Sequence, residues 1–496
     1  FCFYAEDAGM FGKKTMFHDY LARFSSRDFR RGLLDLFNVL NTPIDERDPY
    51  LDDELSAFPY VNGGMFAENN LEVPQFTDEL RESILEHASS SFDWSEISPT
   101  IFGAVFESTL NPETRRSGGM HYTSIENIHK VIDPLFLDAL KEELNEIRQI
   151  KQPATLKNRA QQFQEKLSRL VFFDPACGSG NFLTETYLSL RRLENEAIKL
   201  YVGDTVLLDV GYDLVKVKIS QLYGIEINDF AVSVANAALW IAESQMLEET
   251  MSIVYSNIDF LPIKSYSNIV EGNALSLNWE EIIPKDKLSY IIGNPPFLGY
   301  SLQSPKQKAD LLSVYVDETG KPYKTAGKID FVSAWYFKAS QIMQNTSIRT
   351  ALVSTNSITQ GEQVASVWRP LYERFGIQID FAHQTFKWNS EAKDKAAVHC
   401  VIIGFSCTEN NGTKFLFNGE NIELVDEINP YLKQGKTVFI ENISNPICPV
   451  TKMTTGNRPA DGGHLIIEAE EYADFIRHEP KAKKYIKRLT GAAEFI

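Results

Sequence analysis

Residues 294–297 read Asn-Pro-Pro-Phe, and these four types in this order can grip a planar amino group. The side-chain oxygen of Asn294 and the backbone carbonyl of Pro295 can each accept one N–H. Pro295 and Pro296 fix φ near −65° and stiffen the turn. The ring of Phe297 offers a face on which a base can stack. Two accepted N–H bonds draw the nitrogen toward tetrahedral geometry and free its lone pair for attack on an electrophilic methyl group. No general base of raised pKa is required, because a methylated amine sheds its proton readily. The same tetrapeptide can also arise as an ordinary loop terminator, so its surroundings must decide.

Upstream lies Asp174-Pro175-Ala176-Cys177-Gly178-Ser179-Gly180-Asn181-Phe182. Asp174 ends an apolar strand-length run. Gly178 and Gly180 lack side chains where the backbone must turn tightly and approach a ligand. A helix starting at Asn181 would aim its amide end at that ligand. Glu226 closes the next strand-length run, with Ile227 after it, and a carboxylate there can accept both hydroxyl protons of a ribose. It lies further on than the usual ~20 residues, so an insertion intervenes. Asn273 and Ala274 sit in Glu271-Gly272-Asn273-Ala274-Leu275, between these elements and Asn294. Glycines that merely pack helix on strand would explain a lone Gly-x-Gly. They do not explain why Asp174, Glu226 and Asn294 all stand at strand ends.

Those residues need a scaffold. Residues 1–115 read as helical: Asp28 to Leu40 carries apolar residues at helical spacing, and Thr77 precedes acids as a helix cap does. Residues 116–407 alternate buried strands with amphipathic helices. The strand candidates are Leu170–Phe173, Leu222–Ile225, Tyr290–Gly293, Thr350–Ser354 and Ile379–Ala382, with a further strand over Ala396–Phe405, which implies a mostly parallel sheet. Ligands bind beyond the carboxyl ends of such strands. Residues 408–496 are polar and turn-rich, with a charged helix around Ala469 to Ile476, and read as a bridge toward a further domain. The chain lacks an initiator Met and is expected to be a piece of a longer protein.

The net charge of the 496 residues is −18, which by itself speaks against nucleic acid. A basic cleft can nonetheless survive on an acidic body. Apolar runs are strand length, well short of the ~20 residues of a membrane span. Cys2, Cys177, Cys400, Cys407 and Cys448 form no CxxC pair and suggest a reducing cytoplasm. The histidines show no zinc spacing, so no metal is expected. Methylation of cytosine at C5 would need a nucleophilic thiol, commonly in Pro-Cys, and the chain has no such dipeptide.

At these residues the chain resembles the amino-methylating DNA methyltransferases of the gamma class. The resemblance implies a Rossmann-like class I S-adenosylmethionine-dependent methyltransferase fold, α/β with a mostly parallel sheet, preceded by a helical domain. It implies that His121, Tyr122 and Thr123, within Gly119–Ser124, line the methionine end of S-adenosylmethionine. Asp174, Ala176, Gly178, Gly180, Asn181, Phe182, Glu226, Ile227, Asn273 and Ala274 would complete the cofactor site. Asn294, Pro295, Pro296 and Phe297 would be catalytic, acting on N6 of an adenine flipped out of double-stranded DNA. Phe386 and Trp388 would join Phe297 in stacking on it. Thr355–Gln363 and Phe381–His383 are similar to MmeI-like type IIL restriction-modification proteins. That likeness implies a nuclease and a recognition domain in the whole protein, although no nuclease signature precedes residue 116. A protein-glutamine N5 methyltransferase shares an Asn-Pro-Pro-aromatic loop and stays open, as does a non-catalytic cofactor-binding subunit of a defence complex.

Overall fold

Five parallel strands form the centre of the structure, a computed structural model. It describes residues 1–61, 66, 73–100, 123–202, 214–254, 268–388, 398–408, 412–441, 449, 464 and 466–488. The strands are β1 (Phe172–Asp174), β2 (Leu222–Glu226), β3 (Asn268–Glu271), β4 (Tyr290–Gly293), β5 (Arg349–Thr355), β6 (Gln378–Trp388), β7 (Val398–Ser406), β8 (Lys414–Asn418) and β9 (Asn421–Val425). They make one nine-stranded sheet in the order β3-β2-β1-β4-β5-β7-β6-β8-β9. β1 to β5 pair with one another only in parallel. β7 runs antiparallel between β5 and β6, so the sheet is mixed but mostly parallel, as expected. β8 pairs parallel with β6 and antiparallel with β9, so the sheet continues past residue 407.

The apolar runs become strands because both sheet faces are covered. Phe172 and Phe173 are fully buried on opposite faces, one in each of the two main apolar clusters. Helices link the parallel strands: α1 (Asn181–Val202), α2 (Asp229–Val254), α3 (Ser333–Ile342) and α4 (Gly361–Phe375). The helix Pro153–Arg169 leads into β1.

The N-terminal region is helical where described. The helix Ser26–Asn41 buries Phe29, Gly32, Leu36, Val39 and Leu40, the spacing of one helical face. Thr77 caps the helix Asp78–Glu82 by accepting from Leu80 N at 3.1 Å. This region leans on α2, where Gln245 donates to the Ile97 carbonyl at 2.9 Å. The compact unit runs from Phe1 to Ile440, and Glu441–Ile496 forms a second unit containing the helix Ala469–His478. No described helix is long and apolar enough to cross a membrane.

A buried ion pair ties the helices behind the sheet. Arg191 and Glu194 on α1 are both 0% exposed and hydrogen-bonded to each other. Glu194 also accepts from Gln164 on the helix Pro153–Arg169 at 2.7 Å and from Lys216 N at 2.7 Å. Arg191 donates to Thr250 of α2 at 2.6 Å. Removing one partner strands a buried charge. Glu194→Ala is therefore expected to destabilise by ~3–5 kcal/mol, read as a drop in the urea midpoint. The joint exchange Arg191→Met with Glu194→Leu should cost much less. A single variant as stable as the double would show that the charge is relieved elsewhere.

Candidate active site

All the strand-end residues singled out in the sequence lie along one edge, because parallel strands put their carboxyl ends together. Asp174 ends β1, Glu226 ends β2, Asn273 follows β3 and Asn294 follows β4. The turn after Asp174 returns to β2: Cys177 N–H donates to the Ile225 carbonyl at 3.0 Å. Gly178 and Gly180 have φ of +54° and +80°. A Cβ on Gly180 would come within 2.8 Å of Ala235 Cβ on α2, so glycine is needed there for both conformation and space. Cys177 is buried, with its thiol pKa pushed up by burial, and packs as a small residue.

Asp174 is 1% exposed. Its Oδ1 accepts from Ala176 N at 3.0 Å, while Oδ2 is buried without a partner. Burial, joined by the nearby Glu226 charge and opposed by the Ala176 N–H, lifts its pKa to about 8. A Cβ on Gly293 would lie 2.4 Å from Asp174 Oδ1, so the glycine before Asn294 leaves room for this carboxyl. Glu226 is buried too. It accepts from Gly178 N at 2.9 Å and Asn228 N at 3.0 Å, which fastens the glycine turn to β2. Burial raises its pKa against those N–H bonds. Ile227 is 62% exposed beside it, an open apolar surface for a flat ring.

The other expected cofactor residues differ in what they leave free. Asn273 Nδ2 donates to Asp310 at 2.9 Å and its Oδ1 accepts from Leu275 N at 3.0 Å. Ala274 is buried, with its carbonyl accepting from Lys338 Nζ at 2.7 Å. Asn181 and Phe182 are buried at the start of α1, the Phe182 side chain in the core. His121 and Tyr122 lie outside the described residues. Thr123 is described and 4% exposed.

Thr123 meets the catalytic candidate directly: Asn294 Nδ2 donates to its Oγ1 at 3.2 Å. That contact turns Asn294 Oδ1 the other way, where it is buried and has no partner. Pro295 is buried, whereas Pro296 and Phe297 are half-buried, and Phe297 packs against both main apolar clusters. Phe386 and Trp388 project from β6 with ring centroids 6.0 Å apart. Lys130 Nζ stands 5.2 Å from the Phe386 ring centre. Trp388 is 6% exposed, packed into the core by β6, so a base could reach it only after it was uncovered. Trp335 on α3 was not singled out in the sequence. Its indole N–H donates to the Pro175 carbonyl at 3.1 Å and so steadies the glycine turn. Nothing separates it from other core tryptophans in an apolar run.

Comparison with known proteins places the edge in context. Residues 148–418 match the family described as MmeI, DNA-methyltransferase domain. Residues 1–66 match MmeI, helicase spacer domain, and residues 434–496 match MmeI, target recognition domain. DNA methyltransferase A of Bacillus subtilis (strain 168) is 39% identical over 502 aligned positions, spanning 100% of this chain and 55% of that protein. A putative type II restriction enzyme and methyltransferase of Methanocaldococcus jannaschii is 26% identical over 305 positions, 52% of this chain and 24% of its own length. The structure of the type IIL restriction-modification enzyme MmeI in complex with DNA superposes with a TM-score of 0.86 at 41% identity. It covers 100% of this chain and 65% of that one. The chain thus spans between half and two thirds of these two longer relatives, the Bacillus protein and MmeI.

Two outcomes test the edge. The folded-state pKa of Asp174 lies above its value of 3.8 in the unfolded chain, so the native state holds a proton that the unfolded state has lost. Stability contributed by Asp174 therefore falls as pH rises from about 4 to about 8. Asp174→Asn should raise the melting temperature of the ligand-free protein, and more at pH 8 than at pH 5. An equal shift at both would place the proton elsewhere. Glu226→Ala should weaken S-adenosylmethionine binding by ~1.5–3 kcal/mol, as loss of charged hydrogen bonds does. Unchanged affinity by calorimetry would show that Glu226 does not hold the ribose.

Proposed function

The chain belongs to the MmeI DNA-methyltransferase family, and from that premise we propose that it transfers a methyl group from S-adenosylmethionine to N6 of an adenine flipped out of duplex DNA. The observation that carries this reading is Asn294 Oδ1, buried and without a partner, on the residue directly after the end of a central strand. A lone acceptor in that state is costly unless a ligand donates to it. An exocyclic amine supplies two N–H groups, one for Asn294 Oδ1 and one for the Pro295 carbonyl.

The residues on the neighbouring strand ends fit the cofactor. Asp174 Oδ2 is a second buried oxygen without a partner, and as a protonated carboxyl it can donate to a ligand as well as accept. Glu226 keeps further lone pairs for two hydroxyls beyond its two backbone bonds. Ile227 is exposed for the adenine ring. S-adenosylmethionine, when bound, supplies the methyl group on a sulfonium. The protein's part is to hold the amine in line by Asn294 and Pro295, to stack the base on Phe297, and to shed water from the turn. The amine proton can leave to solvent after transfer.

DNA as the substrate rests on the family and on local charge. MmeI was solved with DNA. In a chain of −18, residues 299–328, directly after Phe297, carry Lys306, Lys308, Lys321, Lys324 and Lys328 against Asp310, Asp317 and Glu318. Such a basic stretch can meet phosphates beside the flipped base. Cys2, Cys177, Cys400 and Cys407 are free thiols, in keeping with the cytoplasm where such a substrate resides.

The acceptor role predicts a graded series. Asn294→Ala should abolish methylation in the full-length protein and leave cofactor binding nearly intact, since the contact matters most in the transition state. Asn294→Asp should be milder, as a carboxylate still accepts. Phe297→Ala should lose ~1–3 kcal/mol of base stacking, and Phe297→Tyr should be tolerated. Tritium transfer to duplex DNA, followed by mass analysis of nucleosides, reads each one. Wild-type N6-methyladenine formation by Asn294→Ala would sink the assignment. Labelled N4-methylcytosine would keep the chemistry and change the base.

A further inference from the structure

One carboxylate interrupts the apolar run Ile329 to Phe337: Asp330, which is 5% exposed. It faces the backbone directly after the catalytic tetrapeptide. Asp330 Oδ1 accepts from Leu298 N at 3.1 Å and from Val332 N at 3.3 Å. Phe331 N–H returns a bond to the Leu298 carbonyl at 3.0 Å. The Leu298 carbonyl also accepts from Gln303 Nε2 at 3.2 Å. Both sides of Leu298 are thus held, one residue beyond Phe297.

The other carboxylate oxygen is held by the segment after β5. Thr355 Oγ1 and Ser357 Oγ each lie 3.2 Å from Asp330 Oδ2. Gln363 Oε1 accepts from Asp330 N at 3.2 Å, and Gln363 Nε2 donates to the Lys328 carbonyl at 2.7 Å. Thr355, Ser357 and Gln363 belong to the stretch Thr355–Gln363, whose resemblance to type IIL proteins carried no role. In the structure three of its side chains converge on Asp330 and its approach.

We infer that Asp330 is a positioning residue for methyl transfer: clamped by Thr355, Ser357 and Gln363, it fixes the Leu298 backbone and through it the place of Asn294 and Pro295. This rests on the methyltransferase reading above. The physical ground is the steep dependence of rate on alignment. A buried carboxylate with four donors has little freedom, and the two prolines between Asn294 and Phe297 transmit the anchor stiffly to the amine acceptors.

The test uses full-length protein with duplex DNA: wild type, Asp330→Ala, Asp330→Asn, and Thr355→Val combined with Ser357→Ala. The single-turnover transfer rate and the calorimetric affinity for S-adenosylmethionine are measured for each. Asp330→Ala should slow transfer by roughly 10–100-fold, the scale of a small misplacement, with cofactor affinity unchanged. Asp330→Asn should restore most of the rate, since its Oδ1 still accepts from Leu298 and its amide can donate to the two hydroxyls. A wild-type rate in Asp330→Ala overturns the inference, as does loss of rate and cofactor affinity in parallel, or an Asn variant no faster than Ala. If Asp330→Ala does not fold, the Thr355→Val, Ser357→Ala protein decides: slowed transfer with intact cofactor binding supports the clamp, and a wild-type rate overturns it. No label in DNA from the wild type overturns the methyltransferase reading and this inference with it. Label from wild type and Asp330→Ala alike overturns this inference alone.

Discussion

Parallel pairing of β1 to β5 is the constraint on which everything else depends. Because these strands point one way, five carboxyl ends share an edge, and each contributes a polar residue there: Asp174, Glu226, Asn273, Asn294 and Thr355. They are separated by up to 181 residues of sequence and brought together by register alone. Parallel strands also need covered faces, which is why the runs feeding the edge are continuously apolar while their last residues are not.

The molecule handles buried polar groups in two contrasting ways. Behind the sheet, Glu194 accepts from Gln164 and Lys216 and Arg191 donates to Thr250, a network that joins three helices and leaves only Arg191 Nε of this pair without a partner. At the edge, Asp174 Oδ2 and Asn294 Oδ1 are buried and left without partners. An unsatisfied buried acceptor costs the folded state about 1–3 kcal/mol. These two oxygens lie at the ends of the adjacent strands β1 and β4. Asp330, equally buried but fully engaged, belongs between these cases: it is structural in its bonds and functional in what those bonds hold.

Charge follows the same division of scale. The acidic total is an average over the chain, whereas residues 299–328 carry five lysines against three acids. A phosphate responds to charges within about a Debye length, ~10 Å at 0.1 M salt, and not to the distant surface.

What the sequence determined was the chemistry and the layer plan. Asp174, the glycine turn, Glu226 and Asn294 were legible because each is a polar exception at the end of an apolar run, and local patterns survive without knowledge of contacts. The strands β1, β2, β4 and β5 were legible for the same reason, as were the helices at Asp28–Leu40 and Ala469–Ile476. β8 and β9 continuing the sheet were not, because their pairing with β6 depends on partners distant in sequence. Nor were the hydroxyl of Thr123 turning Asn294, the indole of Trp335 on Pro175, or the clamp on Asp330. These are long-range hydrogen bonds made by side chains of ordinary type to distant side chains or backbone, spanning 171 residues in the first case and 160 in the second. A residue type and its neighbours say what a group can donate or accept. Only the tertiary structure decides which group is within reach, which lone pair is already engaged, and which is left open for a substrate.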